Sequence, residues 1–214
     1  MVHILVVGAS RGTGLETVRK ALAAGHRVRA LARSATSIPI TDEHLEKVTG
    51  DATDRTALLN ALEGIDAVIF TLGVAPSLTN AMSGTCVFST ATRALVDVMK
   101  EKGIRRLVAV TGIGAGDSRG HGGPLYDWVI FPLLLKRVYD DKDVQEQIIR
   151  QSGLDWTIVR PGLLTNGPAT SNYRVLLDPA QWRAGSISRA DVADFLVREV
   201  TERKFDGKAP VLLS

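Results

Sequence analysis

Apolar positions along this chain fall into short dense runs separated by longer stretches in which they recur every three or four places. "VHILVVG" (2–8) is short and almost wholly apolar, the pattern of a strand covered on both faces. The stretch 13–24 then reads as a helix. In "HRVRALAR" (26–33) Val28, Ala30 and Ala32 share one face, so this is a second strand. "HLEKVTGD" (44–51) predicts a third, 55–63 a short helix and "DAVIFTLG" (66–73) a fourth strand. A long helix fills about 84–102, closed by Gly103. "RRLVAVTG" (105–112) predicts strand five, followed by the glycine-rich loop "GIGAGDSRGHGG". A helical region spans about 126–152, interrupted by Pro132 and closed by Gly153. "DWTIVRPG" (155–162) predicts strand six. "SRADVADFLVREV" is a helix with Ser188 as N-cap and Asp191 at the capping-box position, and "APVLL" is a last strand.

Strand–helix alternation of this kind predicts an α/β fold: a doubly wound, mostly parallel sheet with right-handed crossovers and helices on both faces. Neither a linker nor an internal repeat interrupts it, so 1–214 reads as one domain. Ligands of such sheets sit beyond the carboxyl ends of the strands, where strand order reverses. The segments to search therefore follow Val7, Ala32, Gly50, Phe70, Val110 and Val159.

The first of these is "VVGASRGTGLETVRK", in which Gly8, Gly12 and Gly14 link a strand directly to a helix. The first amides of a helix lack internal partners and carry the positive end of its dipole. A diphosphate can approach them only where side chains are absent. The frame with its context predicts a dinucleotide site built from Gly8, Ser10, Arg11, Gly12, Thr13 and Gly14. NAD sites usually place an acid at the end of the second strand. Residues 17–41 contain none, and that strand ends in Arg33 and Ser34, with Arg11 in the glycine loop. A 2′-phosphate suits guanidinium groups and not an acid, so NADP(H) is the expected coenzyme. In "GDATD", Asp51 beside Ala52 serves either the adenine amino group or a turn. In "TLGVAP", Leu72, Gly73 and Val74 offer backbone to a ribose, or form a plain loop.

Composition narrows the classes further. A length of 214 residues with 45% hydrophobic and 23% charged suits a single packed core. The net charge of +3 is spread out: Lys100, Lys102, Arg105, Arg106, Lys136 and Arg137 alternate with acids. That argues for a small anionic ligand and against nucleic acid. The single cysteine, Cys86, excludes an internal disulfide, fits a reducing cytosol and reads as a small buried hydrophobe. The four histidines lack ligand spacing, so no metal is expected. The apolar start is too short for a signal peptide, and "WVIFPLLL" (128–135) is too short to span a bilayer. A cytoplasmic protein with no membrane partner, monomeric or weakly dimeric, is expected.

Together "GASRGTG", "LARS", "GDATD", "TLG", "VAVTG" and "SGLDWTIVRPG" resemble the short-chain dehydrogenase/reductase superfamily over most of the chain. The chain looks most like its atypical NmrA-like branch, and there like the biliverdin-IXβ reductase (flavin reductase) group, through "VYDDKDVQEQIIRQSGLDWTIVRPG". The resemblance implies a three-layer Rossmann fold, with Thr111 in the place of the active-site serine and Lys142 at the nicotinamide ribose. Pro161, Gly162 and Leu163 would border the carboxamide, and about 162–188 would form a small substrate-side region.

One departure matters. The superfamily's proton-donating tyrosine lies four residues before the lysine, and here that residue is Val138. Tyr139, next door, is either a displaced substitute or ordinary packing. Ketone chemistry then lacks its acid, whereas flavin or bilin reduction needs mainly stacking and orientation. The resemblance thus implies an NADPH-dependent reductase of a planar flavin, bilin or quinone. Gly112, Ile113, Trp128 and Leu164 would line the acceptor pocket, with Phe131, Leu163, Tyr173 and Trp182 as further candidates and core as the alternative for half of them. His121 reads as a plain loop residue. A non-catalytic NADP-binding redox sensor is the second reading, and a sugar-nucleotide epimerase the third.

Overall fold

The computed structural model describes residues 1–73, 86–120 and 136–214. Its spine is a sheet of eight strands in the order β3-β2-β1-β4-β5-β6-β10-β8. β1 is His3–Val7, β2 Arg27–Ala32, β3 Leu45–Thr49, β4 Ala67–Phe70, β5 Arg106–Val110 and β6 Asp155–Pro161. β7 is Leu163–Thr165, β8 Arg174–Leu176, β9 Ser186–Ser188 and β10 Val211–Leu213. Every pairing in the sheet is parallel except that of β8 with β10, and β7 pairs with β9 in a separate two-stranded ladder. From β1 the chain works outward through β2 and β3, then returns to place β4 on the other flank of β1. Strand order therefore reverses between β1 and β4, and the crevice lies at their carboxyl ends.

Five helices cover the faces among the described residues: α1 (Gly12–Ala23), α2 (Arg55–Ala61), α3 (Val87–Glu101), α4 (Lys136–Arg150) and α5 (Arg189–Glu202). β1 shows how the sequence divides between the two layers. Ile4 and Val6 pack with Val18 and Ala21 of α1 and Val192, Phe195 and Leu196 of α5. Leu5 and Val7 point the other way, into Leu58 of α2, Leu95 and Met99 of α3 and Ile149 of α4. A strand covered on both sides must be apolar at every place, which is why 4–7 shows no alternation. Val28, Ala30 and Ala32 do lie together on the α1/α5 side.

Helix ends follow their local chemistry. Asp54 caps α2 by accepting from the Thr56 amide, and Ser188 caps α5 by accepting from that of Asp191. Gly103 and Gly153 take φ of +71° and +72° just past α3 and α4. The Asp191 carboxylate works outside its own helix: it accepts from the Ser188 hydroxyl, from the amides of Thr170 and Ser171 and from the Thr170 hydroxyl, tethering that loop.

One expectation needs correction. Cys86 is exposed, not buried, because it precedes the first turn of α3 and the buried stripe begins only at Phe88. Arg106, one of the dispersed cations, is buried. It enters the interior from β5 and donates to Glu199, the Thr157 hydroxyl and Asp206 at 2.9, 3.0 and 2.5 Å, a buried charge answered by two carboxylates. Tyr173 takes the core alternative. Its ring packs edge-on against Phe195, 6.2 Å between centroids, and its hydroxyl donates to Asp194.

Candidate active site

Backbone geometry at the first βα turn leaves no room for a side chain at Gly8 or Gly14. Gly8 has φ of +85°, and a Cβ there would stand 2.9 Å from the Thr71 carbonyl oxygen at the end of β4. A Cβ on Gly14 would stand 2.7 Å from Thr71 Oγ1 and closer still to the carbonyl oxygen of Gly8. So Gly8 lets β1 and the β4 loop meet, and Gly14 lets α1 seat on the turn. Thr71 fastens the same place by donating to the Val7 carbonyl at 2.8 Å. Gly12, with φ of +58°, opens α1. No side chain caps this helix, and its first turn holds no acid. The corner is thus a cradle of unpaired amides at a positive helix end, which fits a diphosphate.

Arg11, Arg33 and Ser34 are exposed around it, and Ser10 is half-buried. Asp51 is also exposed, and its Oδ1 accepts from the amide and hydroxyl of Thr53. Those two bonds hold its carboxyl below the ordinary carboxylate range, with help from the field of Arg33. The turn role is therefore occupied by one oxygen. Ala52 and Leu72 pack into the α2/α3 side of the core, and Thr13 is buried at the base of α1. Gly73 is exposed. Val74, His121, Trp128 and Phe131 lie outside the described residues.

At the end of β5 a second cluster forms. Thr111 is buried; its hydroxyl donates to Glu146 Oε1 at 2.8 Å and its carbonyl accepts from Lys142 Nζ at 2.7 Å. Lys142 also lies over the Phe88 ring, 4.6 Å from its centroid. Burial lowers its pKa to about 8, with Glu146 and Asp141 opposing the shift. Asp141, the preceding residue, accepts from the Phe88 and Ser89 amides at 2.9 and 3.2 Å, so α4 caps α3 just where it presents the lysine. Tyr139 reaches the same place: a Cβ on Gly112 would lie 3.1 Å from its hydroxyl oxygen. The tyrosine one residue out of frame is thus brought against the residue that follows Thr111.

Nothing in the motif pattern singled out Glu146 or Arg160 as site residues. Glu146 is 1% exposed and Arg160 0%. Arg160 Nε and Nη2 both hold the Glu146 carboxylate, at 3.0 and 2.5 Å, and Nη2 also reaches Asp117. Burial alone would raise the Asp117 pKa, but Arg160 and Arg150 bring it below the usual value. A carboxylate–guanidinium pair of this kind fixes the orientation of whatever else hydrogen-bonds to it, here Thr111. One signal marks Arg160 in the sequence: it follows the apolar Ile158 and Val159 inside the predicted strand.

Beyond β6, Pro161 and Gly162 are buried and Leu163 is 74% exposed. A Cβ on Gly162 would stand 2.7 Å from Leu213 Cδ2 and nearer still to the Gly185 carbonyl oxygen, so β7 is pressed against 185. Leu164 packs on the α1/α5 core. Ile113 and Trp182 share a small buried cluster with Leu176, Val211 and Leu213, and Arg160 lies over the Trp182 ring at 5.6 Å.

Among the described residues no helix is long and apolar enough to cross a membrane. A family described as NAD(P)H-binding matches residues 8–203. An uncharacterized chloroplastic protein of Arabidopsis thaliana is 30% identical over 96% of this chain and 74% of its own length. The NAD(P)H azoreductase of Xenophilus azovorans is 27% identical over 74% of this chain, which spans about half of that enzyme (47%). Among solved structures, ChuY of Escherichia coli O157:H7, described as an anaerobillin reductase, superposes with a TM-score of 0.80 at 26% identity, covering 99% of this chain and 96% of that one.

Proposed function

The chain belongs to the NAD(P)H-binding family, and on that premise we propose that it is an NADPH-dependent reductase delivering hydride to a planar conjugated acceptor such as a flavin, a bilin or a quinone. The observation that carries the reading is the side-chain-free cradle of Gly8, Gly12 and Gly14 beside the cluster of Thr111, Tyr139 and Lys142. The coenzyme supplies the hydride. Everything else is binding and orientation by this chain. Amides of the glycine corner hold the diphosphate, and Arg11, Arg33 and Ser34 select the 2′-phosphate. Asp51, Ala52, Leu72, Gly73 and Val74 border the adenosine half, and Pro161, Gly162 and Leu163 the carboxamide end.

Thr111 donates its proton to Glu146, so toward the crevice it offers a lone pair and not a hydrogen. The group that anchors a substrate carbonyl in ketone reduction is therefore turned away. That favours an acceptor taking hydride into an extended π-system, whose charge spreads without a matched acid. An NAD(P)H azoreductase and an anaerobillin reductase among the similar proteins support that direction. We place the acceptor over Gly112, Ile113, Trp128 and Leu164, with 162–188 as the substrate-side region of a single domain, monomeric or weakly dimeric in the cytoplasm. The test is NADPH oxidation, followed by absorbance, with FMN, FAD, biliverdin and a quinone. Turnover with at least one is expected, and failure with all four removes the proposal.

A second reading, an NADP-binding redox sensor, draws on a specific observation: the Thr111 hydroxyl and the Lys142 ammonium are each satisfied by protein partners. Stoichiometric coenzyme binding without turnover supports it. An epimerase is the third reading, and nothing in the site favours it.

A further inference from the structure

We propose that Arg189 is a third phosphate-holding cation of the coenzyme site, gripping the diphosphate common to NADPH and NADH and held ready by the segment that follows β6. The inference rests on the coenzyme reading above and adds a residue absent from the family pattern read in the sequence.

Arg189 is the first residue of α5, far in sequence from the glycine corner. Its side chain nevertheless crosses to that corner: a Cβ on Gly12 would meet Arg189 Nε at 3.6 Å and Cδ at 3.9 Å. The residue is half-buried, and Nη1 donates to Asn166 Oδ1 at 2.7 Å and to the Leu164 carbonyl at 3.3 Å. Both partners are neutral. Arginines that hold this fold together reach carboxylates: Arg29 has Glu46, Arg106 has Glu199 and Asp206, and Arg160 has Glu146 and Asp117. Arg189 has no carboxylate partner among the described residues, although it stands beside a helix start that is itself positive and uncapped. A guanidinium held by neutral partners, without a counter-charge, next to unpaired amides is arranged for an anion that arrives from outside. Gly12 marks where that anion sits, at the first turn of α1, where the diphosphate and not the 2′-phosphate belongs.

The neutral partners have their own part. Asn166 and Leu164 belong to the stretch leaving β6, so the guanidinium is positioned from the acceptor side of the site. Holding a long side chain in its bound geometry removes an ordering cost from binding. Asn166 is a positioning residue acting through Arg189.

The experiment is calorimetric titration of the full chain with NADPH and NADH, plus competition by inorganic pyrophosphate. Arg189→Gln is expected to weaken both coenzymes, and pyrophosphate, by about tenfold, the size of one charge-assisted hydrogen bond. Arg33→Ala weakens NADPH alone. Asn166→Ala is expected to weaken both coenzymes by about threefold in the parent chain and to add nothing in Arg189→Gln, because the two act as one unit. Binding by Arg189→Gln within twofold of the parent for both coenzymes, or a loss confined to NADPH, overturns the inference while leaving the coenzyme reading intact. A parent chain that binds neither coenzyme overturns both. Should Arg189→Gln fail to fold, Asn166→Ala, at an exposed residue, decides the matter instead: unchanged affinity rejects the role, and a matched loss for both coenzymes supports it.

Discussion

Replacing Gly14 with alanine adds one methyl group at the point where α1 seats on the first turn. That methyl would stand 2.7 Å from Thr71 Oγ1 and closer still to the Gly8 carbonyl oxygen. The threonine hydroxyl is itself engaged, donating to Val7, and the carbonyl is backbone. Neither can swing aside, so the helix must lift by most of an ångström. Overpacking against immovable neighbours costs about 3 kcal/mol, the upper end for an added methylene. For a chain of this length that lowers Tm by roughly 6–12 °C. The lift also withdraws the α1 amides from the diphosphate, so affinity for NADPH falls at least about tenfold, the equivalent of a single lost hydrogen bond to a charged group. Gly12→Ala is the control. Its φ of +58° makes alanine strained, yet the new methyl meets nothing nearer than 3.6 Å, so the cost is the backbone term alone, about 1–2 kcal/mol. Thermal unfolding with and without NADPH reads both effects. If Gly14→Ala melts within about 2 °C of the parent, a window set by about 1 kcal/mol, and binds coenzyme normally, the close approach is not what that glycine serves.

Glu146→Ala leaves Arg160 buried with only Asp117 to answer it; urea unfolding should show a loss of about 3–5 kcal/mol, and a loss under about 1 kcal/mol would mean that the pair is not holding the interior. Lys142 carries a pKa of about 8 in the fold against 10.5 ordinarily, so the unfolded chain binds the extra proton between those values. Stability should therefore climb as pH rises from about 8 toward 10.5. The stability difference between the parent and Lys142→Met should change with pH inside that window and stay constant below it; a difference that is flat throughout refutes the shift. Tyr139→Phe should leave reduction of both FMN and biliverdin within about threefold, since the proposed acceptors take hydride without a matched acid. A loss of about tenfold or more with either acceptor would make the tyrosine a proton donor and refute that part of the reading.

Much of the sheet is legible in the sequence because buried parallel strands are apolar throughout and each helix ends in an identifiable residue. Gly103, Gly153 and Ser188 stand where local chemistry demands. The glycine corner is legible for a related reason: three glycines in a strand-to-helix turn serve close approach, at Gly8 and Gly14, or a positive φ, at Gly8 and Gly12. Between 163 and 188 that logic fails. β7, β8 and β9 are three residues each, too short for any period, and β8 runs against its neighbour. Charged residues escape it in another way. Arg106 and Arg160 stand inside predicted strands, but nothing local names Glu199 and Glu146 as the distant partners that hold them in the interior. Lys142 and Tyr139 can be named from the frame, but not the bond that turns the Thr111 hydroxyl toward Glu146. Arg189 is invisible in the sequence because its contact joins two helix starts that are distant along the chain.

The tight seam between Gly162 and residue 185 has a practical bearing on redesign. A carbonyl and a leucine methyl fill the space a side chain would need, so a substitution at either glycine would pry the short β7–β9 ribbon off its support. For an acceptor placed there as proposed, preference would be altered instead by trimming or enlarging what projects from that ribbon, beginning with the outward-standing Leu163, while both glycines are left alone.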